Sequence, residues 1–152
     1  MRLCVALLSA AAALLAACQP QEAPPGADIE FLQMPEMEGL GLPFSSAVRV
    51  DNLLFLSGVI GTDPNELRPM PGGIGPETQR ALEIMRDTVE AFGSSMDRVV
   101  KCTVFLADID EWAAMNEVYV TFFDAPPPAR SALGANGLAL GARMEIECIA
   151  AL

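Results

Sequence analysis

Residues 98–107 and 143–150 alternate apolar with polar side chains at the period of an extended chain. Lys101, Thr103 and Phe105 share one face of the first segment, and Cys102, Val104 and Leu106 the other. In the second, Glu145, Glu147 and Ile149 alternate with Ile146, Cys148 and Ala150. Each strand has one face that must be covered by another layer. The cover is helical. Leu82, Met85, Val89 and Phe92 fall three and four apart, and so do Trp112, Met115, Tyr119 and Phe122. The order is then strand, strand, helix, strand, helix, strand, strand. Helices that follow strands make crossovers, so the sheet is mixed, the class is α+β, and right-handed crossovers place both helices on one face.

The remaining elements follow from local chemistry. Residues 29–32 read as a short edge strand and 34–43 as a loop rich in Pro and Gly. Ala47 to Val50 and Leu53 to Leu56 form a hairpin, because Asp51 and Asn52 tolerate the left-handed conformation a tight turn requires. The second of these strands is apolar on both faces and therefore central. Gly58 ends it where a side chain would obstruct something. Gly61 to Gly75 carries three prolines and reads as a loop without regular structure. Glu77 lies in the first turn of the first helix, where the helix dipole favours a negative charge, and Gly93 stops that helix. Asp108 or Asp110 caps the second helix, 111–123, with Asn116 beside its inner stripe. A strand follows at about 131–138, and Gly141 turns into the last one. The sheet face away from the helices mixes Lys101, Thr103, Glu145 and Glu147 with apolar residues of 53–56. A half-apolar face of this kind invites a partner subunit.

The ends and the charge narrow the function. With 20 acidic residues against 9 basic, the net charge is −11, which excludes partners that demand a basic patch, nucleic acid above all. The chain has no histidine and so lacks the commonest general base and metal ligand. Arg2, an apolar run from Val5 to Leu15 and the exit Leu15-Ala16-Ala17-Cys18 read as a signal peptide, too short to span a bilayer. Cysteine at that exit resembles a bacterial lipobox. The expected organisation is a signal at 1–17, a lipidated Cys18 with a Pro/Gln-rich tether at 18–28, and one domain at 29–152. Loss of the signal leaves 8 basic and 20 acidic residues, or −12. The expected location is the periplasmic side of the cell envelope, on the outer membrane in a Gram-negative host given Gln19 after the cysteine.

Two cysteines remain in the domain, Cys102 and Cys148, at a spacing that matches no zinc pattern. They point to the same layer and are expected as two buried thiols. A bridge requires neighbouring strands in one particular register. The other chemistry-bearing stretch runs from Pro126-Pro127-Pro128-Ala129-Arg130-Ser131 to Met144-Glu145-Ile146-Glu147. Arg130 follows a stiff, donor-free entry and precedes apolar sequence, where a charge must be paired. Its planar fork suits a carboxylate held by two hydrogen bonds. Either that carboxylate belongs to a ligand or it is Glu145 or Glu147 closing a core edge.

Pro128-Ala129-Arg130-Ser131, Leu133, Leu138 and Met144-Glu145-Ile146 resemble the C-terminal signature of the RidA/YjgF family of reactive-intermediate deaminases. The likeness extends through Pro43 to Val48, Phe55-Leu56-Ser57-Gly58, Val99 to Asp108 and Asn116-Glu117-Val118-Tyr119, and so covers nearly all of 29–152. The resemblance implies a chorismate-mutase-like fold, a homotrimer and sites in the clefts between subunits. In that fold the strands of Cys102 and Cys148 are neighbours. It implies hydrolysis of enamine and imine carboxylates such as 2-aminoacrylate to a 2-oxo acid and ammonia, with no cofactor and no metal. By position, Arg130 holds the substrate carboxylate and Glu145 handles the attacking water. Phe44, Ser57, Gly58, Asn116 and Ala132 line the pocket. Phe44 stands where the family often has tyrosine, Val59 replaces a common glutamine, Ala132 a frequent cysteine, and Asn136 a small or basic residue. The first three make the pocket more apolar. The alternative is a non-catalytic trimer that binds a small carboxylate or a protein partner at the same clefts.

Overall fold

The chain's architecture rests on one strand placed between two others that are far from it in sequence. The structure, a computed structural model, describes residues 26–124 and 126–152; the signal, Cys18 and most of the tether lie outside the described residues. One six-stranded sheet runs in the order β1-β2-β3-β6-β4-β5, built from Ile29–Leu32 (β1), Ala47–Val50 (β2), Leu53–Leu56 (β3), Val99–Leu106 (β4), Ala129–Gly134 (β5) and Met144–Ala151 (β6). Every neighbouring pair is antiparallel except β4 and β5. β6 is thus inserted between β3 and β4, and the sheet is mixed as the crossovers require.

Helices α1 (Ile74–Ala91) and α2 (Trp112–Tyr119) pack on each other and cover one face. Leu82, Met85 and Val89 of α1 and Met115 of α2 are fully buried against Leu54, Val104, Ile146 and Ala150 of the sheet. The alternation predicted for β4 and β6 holds residue by residue, with Cys102, Val104, Leu106, Ile146, Cys148 and Ala150 under the helices. Asp51 takes the left-handed conformation (φ 51°) in the β2–β3 turn. Gly93 (φ 85°) follows the end of α1, where its amide donates to the Glu90 carbonyl. The opposite sheet face is open. Phe55, near Lys101 and Glu147, is 39% exposed there, and Phe31 of the edge strand β1 is 73% exposed.

Several expectations need correction. The Gly61–Gly75 segment is not wholly irregular, since α1 begins at Ile74 and Thr62 bridges Pro69. Residues 34–43 include a 3-10 turn at Pro35–Met37. α2 ends at Tyr119 rather than near 123, and the Asp108 carboxylate caps a 3-10 turn (Ile109–Glu111) ahead of it. Trp112 is not an inner residue but 43% exposed. β5 spans Ala129–Gly134, so Arg130 stands within a strand instead of in the turn before one.

The cysteines are bonded, not free. Cys102 and Cys148 sit directly opposite each other on β4 and β6, with Cα atoms 4.1 Å apart, and form a disulfide beneath the helices. Parity placed both on the apolar face; the register, which only the folded sheet supplies, made them partners. The bond closes a 46-residue separation, which in chain-entropy terms stabilises the fold by about 2–4 kcal/mol. The double substitution Cys102→Ala/Cys148→Ala is therefore expected to lower the unfolding free energy by about that amount in a urea titration. Dithiothreitol should lower the wild-type Tm and leave the double variant's unchanged.

Candidate functional site

The residues singled out in the sequence fall into two groups on one chain. The first surrounds Arg130. β5 carries its side chain on the same face as Cys102, its register partner, and so toward α2. There the guanidinium carbon lies 4.3 Å from the centroid of the Tyr119 ring and 5.6 Å from that of Trp112, within the range of a cation–π contact. Trp112, Asn116 and Tyr119 follow one another at i, i+4 and i+7, a single helical stripe, so Asn116 lies between the two rings that carry the cation. Ala132, two residues on from Arg130, shares its face and packs against the core. Phe123 stacks on Tyr119 with ring centroids 4.7 Å apart and backs the platform. Burial pushes the Tyr119 phenol above its ordinary pKa, and the positive charge of Arg130 works against that rise.

The platform leaves a specific need unmet. Among the described residues, Nη1 of Arg130 and the hydroxyl of Tyr119 are buried without a hydrogen-bond partner. A buried, unpartnered nitrogen on a permanent cation is costly, and it marks a place where an acceptor is wanted. Neither Glu145 nor Glu147 supplies it. Both stand on the open face of β6, in register with Phe105 and Thr103, on the other side of the sheet from Arg130. The core-edge ion pair considered from sequence is absent among the described residues.

The second group surrounds Glu145. Beyond β3 the chain pairs again with β6 through Val59, whose amide donates to the Ile146 carbonyl (2.8 Å) and whose carbonyl accepts from the Ile146 amide (3.0 Å). Ser57 is anchored by its hydroxyl, which donates to the Ser45 carbonyl at 2.7 Å. Gly58 is thereby held directly under the Glu145 carboxylate. A Cβ on Gly58 would lie 2.0 Å from Oε1 of Glu145 and 3.0 Å from its carboxyl carbon. Glycine is needed because the carboxylate rests on the backbone. Phe44, half exposed, joins Ser57 and Gly58 in lining one small cavity.

Sequence reasoning missed how the start of β6 is fixed. Glu77 of α1 is only 1% exposed, and its Oε1 accepts from the backbone amides of Arg143 (2.6 Å) and Met144 (3.3 Å). The Arg143 guanidinium in turn grips the Glu111 carboxylate ahead of α2, with Nε 3.0 and 2.9 Å from its two oxygens. Both helical segments therefore pin the residues that lead into Glu145. Glu77 does more than complement a helix dipole. Its signal in the sequence was position, since it sits one turn before Ala81 and two before Met85 on the stripe that faces the core.

With this geometry in view, the relatives are informative. The sequence model of the family described as Endoribonuclease L-PSP matches residues 39–152. The chain belongs to this family, the RidA/YjgF proteins. It is 41% identical over 108 residues to a mouse protein named 2-iminobutanoate/2-iminopropanoate deaminase, covering 71% of this chain and 80% of that one. Its structure superposes on that of RidA from an Antarctic Psychrobacter with a TM-score of 0.73 at 32% identity, over 81% of this chain and 99% of the other. Yeast Mmf1 gives a TM-score of 0.69 at 28% identity, over 84% and 97%. The mixed sheet with two helices on one face is the fold of these proteins. Among the described residues no group of three or more His, Cys, Asp or Glu side chains is placed to hold a metal, and no helix is long and apolar enough to cross a membrane.

Glu77 makes a pH prediction. Burial raises its pKa above the ordinary 4.5, and the two backbone amides oppose the rise. A carboxyl whose folded pKa is raised binds its proton more tightly in the native state. Its contribution is therefore full below the ordinary value and is lost as pH rises through the folded one. Glu77→Gln keeps an acceptor and removes the ionisation. The Tm of Glu77→Gln minus that of wild type should grow as pH is raised from about 4.5 toward neutrality. Glu77→Ala, which leaves buried donors without an acceptor, should cost about 1–3 kcal/mol for each.

Proposed function

We propose that the protein is a hydrolytic deaminase of small 2-imino and enamine carboxylates, acting as a homotrimer on the periplasmic side of the envelope. The observation that carries this reading is the buried, unpartnered nitrogen of Arg130 on its aromatic platform. A planar carboxylate fits that fork, and the 41%-identical mouse relative bears the name of an imine deaminase.

Arg130 takes the substrate carboxylate through two charge-assisted hydrogen bonds. Water adds to the imine carbon: its oxygen bonds to carbon while one of its protons passes by way of the Glu145 carboxylate to the nitrogen, giving a tetrahedral carbinolamine. The remaining hydroxyl proton then passes through the same carboxylate to the nitrogen as the carbon–nitrogen bond breaks, ammonia leaves, and a 2-oxo acid remains. An imine is already electrophilic, so orientation and one placed water supply most of the acceleration. Phe44, Ser57, Gly58, Asn116 and Ala132 shape the pocket.

One chain holds Arg130 and Glu145 on opposite sheet faces. A substrate that touches both requires the arginine of one copy and the carboxylate of another. The open face with Phe55 and Phe31 supports assembly of that kind. The strong negative charge and the absence of histidine speak against RNA as the substrate. For location, the signal ending at Cys18 supports a lipid anchor, and the Cys102–Cys148 bond suits an oxidising compartment.

The test supplies 2-aminoacrylate or iminopyruvate generated in situ to the purified trimer and follows loss of the imine. No acceleration over buffer by a folded trimer overturns the reading for that substrate. Arg130→Ala is expected to raise KM by about 10- to 100-fold, the equivalent of a charged hydrogen bond. Glu145→Gln is expected to lower kcat by about 10²- to 10⁴-fold. A methyl at Gly58→Ala would press first on the Glu145 side chain, so it is expected to lower kcat by displacing the carboxylate. A binding module without chemistry would keep its affinity for 2-oxo acids in Glu145→Gln and show no turnover in any form. Cys18→Ser is expected to release the protein from membranes into the soluble fraction; retention there overturns the anchor.

A further inference from the structure

Tyr119 is the chain's single tyrosine, and the carboxylate clamp of Arg130 leaves its hydroxyl unused. The residue ends α2 and is 4% exposed. A phenol buried to this degree ordinarily finds a hydrogen-bond partner, because a hydroxyl unmet in apolar surroundings loses the bond it made to water. Among the described residues the Tyr119 hydroxyl has none, and neither has Nη1 of Arg130. Core packing does not account for the hydroxyl, since phenylalanine would fill the same space without that cost.

The two orphaned groups lie side by side. The Arg130 guanidinium carbon stands 4.3 Å from the centroid of the Tyr119 ring, and the phenol is close enough to feel its charge. Phe123, with 4.7 Å between ring centroids, backs the ring and holds it in place. A guanidinium has donors only, so the phenol proton finds nothing on Arg130 to bind. What both groups lack is an acceptor. A water accepts from both but leaves the cation uncompensated, whereas a carboxylate oxygen accepts from both and carries the matching charge. Burial holds the phenol above its ordinary pKa, so it keeps the proton it has to donate.

We infer that Tyr119 is a substrate-binding residue, whose hydroxyl donates to the carboxylate oxygen that faces Arg130 Nη1 and so completes the anion site from α2. This rests on the Arg130 clamp of the deaminase reading and deepens it. The carboxylate is then held from two elements, by β5 through a charged fork and by α2 through a neutral donor. The carboxylate takes no part in bond making at the imine carbon. The Tyr119 hydroxyl therefore binds the ground state and the transition state alike, and its loss falls on KM rather than on kcat.

The test compares the full protein with Tyr119→Phe, which removes the hydroxyl and leaves the ring beside the cation. Pyruvate and 2-oxobutanoate, the acids that hydrolysis of small imines leaves, serve as binding probes. Titration calorimetry reads their affinity, and so does the fluorescence of Trp112, the only tryptophan, 5.6 Å from the guanidinium carbon. Turnover of an imine generated in situ is followed in parallel. The variant is expected to keep or raise the wild-type Tm, since it discards an unmet buried donor. It is expected to raise Kd and KM by about 10- to 100-fold, the equivalent of a hydrogen bond to a charged group, with kcat changed less than about 3-fold. A Tm below that of wild type means that the hydroxyl is partnered in the free protein, and it overturns the inference. A Kd within about 3-fold of wild type does the same. Either result leaves the deaminase reading standing where wild type turns over the imine. Binding by wild type without turnover overturns the deaminase reading and leaves Tyr119 to be decided by Kd. Neither binding nor turnover overturns both.

Discussion

The pairing of β6 with β3 on one side and β4 on the other is the interaction on which the rest of this structure depends. It is a long-range contact, and it joins the two crossover units into one sheet. It sets Cys148 opposite Cys102, buries Ile146 and Met144 under the helices, and lays the Glu145 carboxylate across Gly58. Because strand side chains alternate with a period of two, a slip of one residue in this register would undo all three. The fold guards against such a slip. The Glu77 carboxylate holds the first amides of β6, Arg143 is tied to Glu111, and the disulfide fixes the middle of the strand.

The same arrangement separates fixed geometry from unmet demand. Around Glu145 the flanking chain is tied down, with Val59 and Ile146 paired and Ser57 anchored to Ser45. Around Arg130 the aromatic rings hold the cation in place without satisfying its hydrogen bonds. A guanidinium over a ring face keeps its in-plane donors free, which suits a group that must grip a planar anion and release it again. Pre-organisation of this kind lowers the ordering that substrate binding would otherwise impose.

Much of this was legible in the chain. Alternation in 98–107 and 143–150 specified which side chains face the helices, because a half-buried strand tolerates only one assignment. The stripes of α1, the Asp51 turn and the Gly93 stop were likewise local properties of the residues concerned. Errors collected where local preference is weak. The last turns predicted for α2 are tightened into short hydrogen-bonded turns after Tyr119, and the strand expected to follow Arg130 includes it, because pairing with β4 outweighs the stiff proline entry. Trp112 obeyed helical spacing yet stayed half exposed, since its ring serves the cation beside it rather than the core.

By itself, then, the sequence determined the class of the fold, the faces of its strands, the family and the residue types available for chemistry. All of these follow from periodicity and motif, which act over a few residues at a time. Tertiary structure alone decided which distant residues meet. It bonded two cysteines expected to be free, turned Glu77 from a helix-end charge into the clasp of β6, and sent Arg130 and Glu145 to opposite sides of the sheet. The physical reason is register. A strand's alternation says which way a side chain points relative to its neighbours, and only the hydrogen-bonded partner strand says what it finds there.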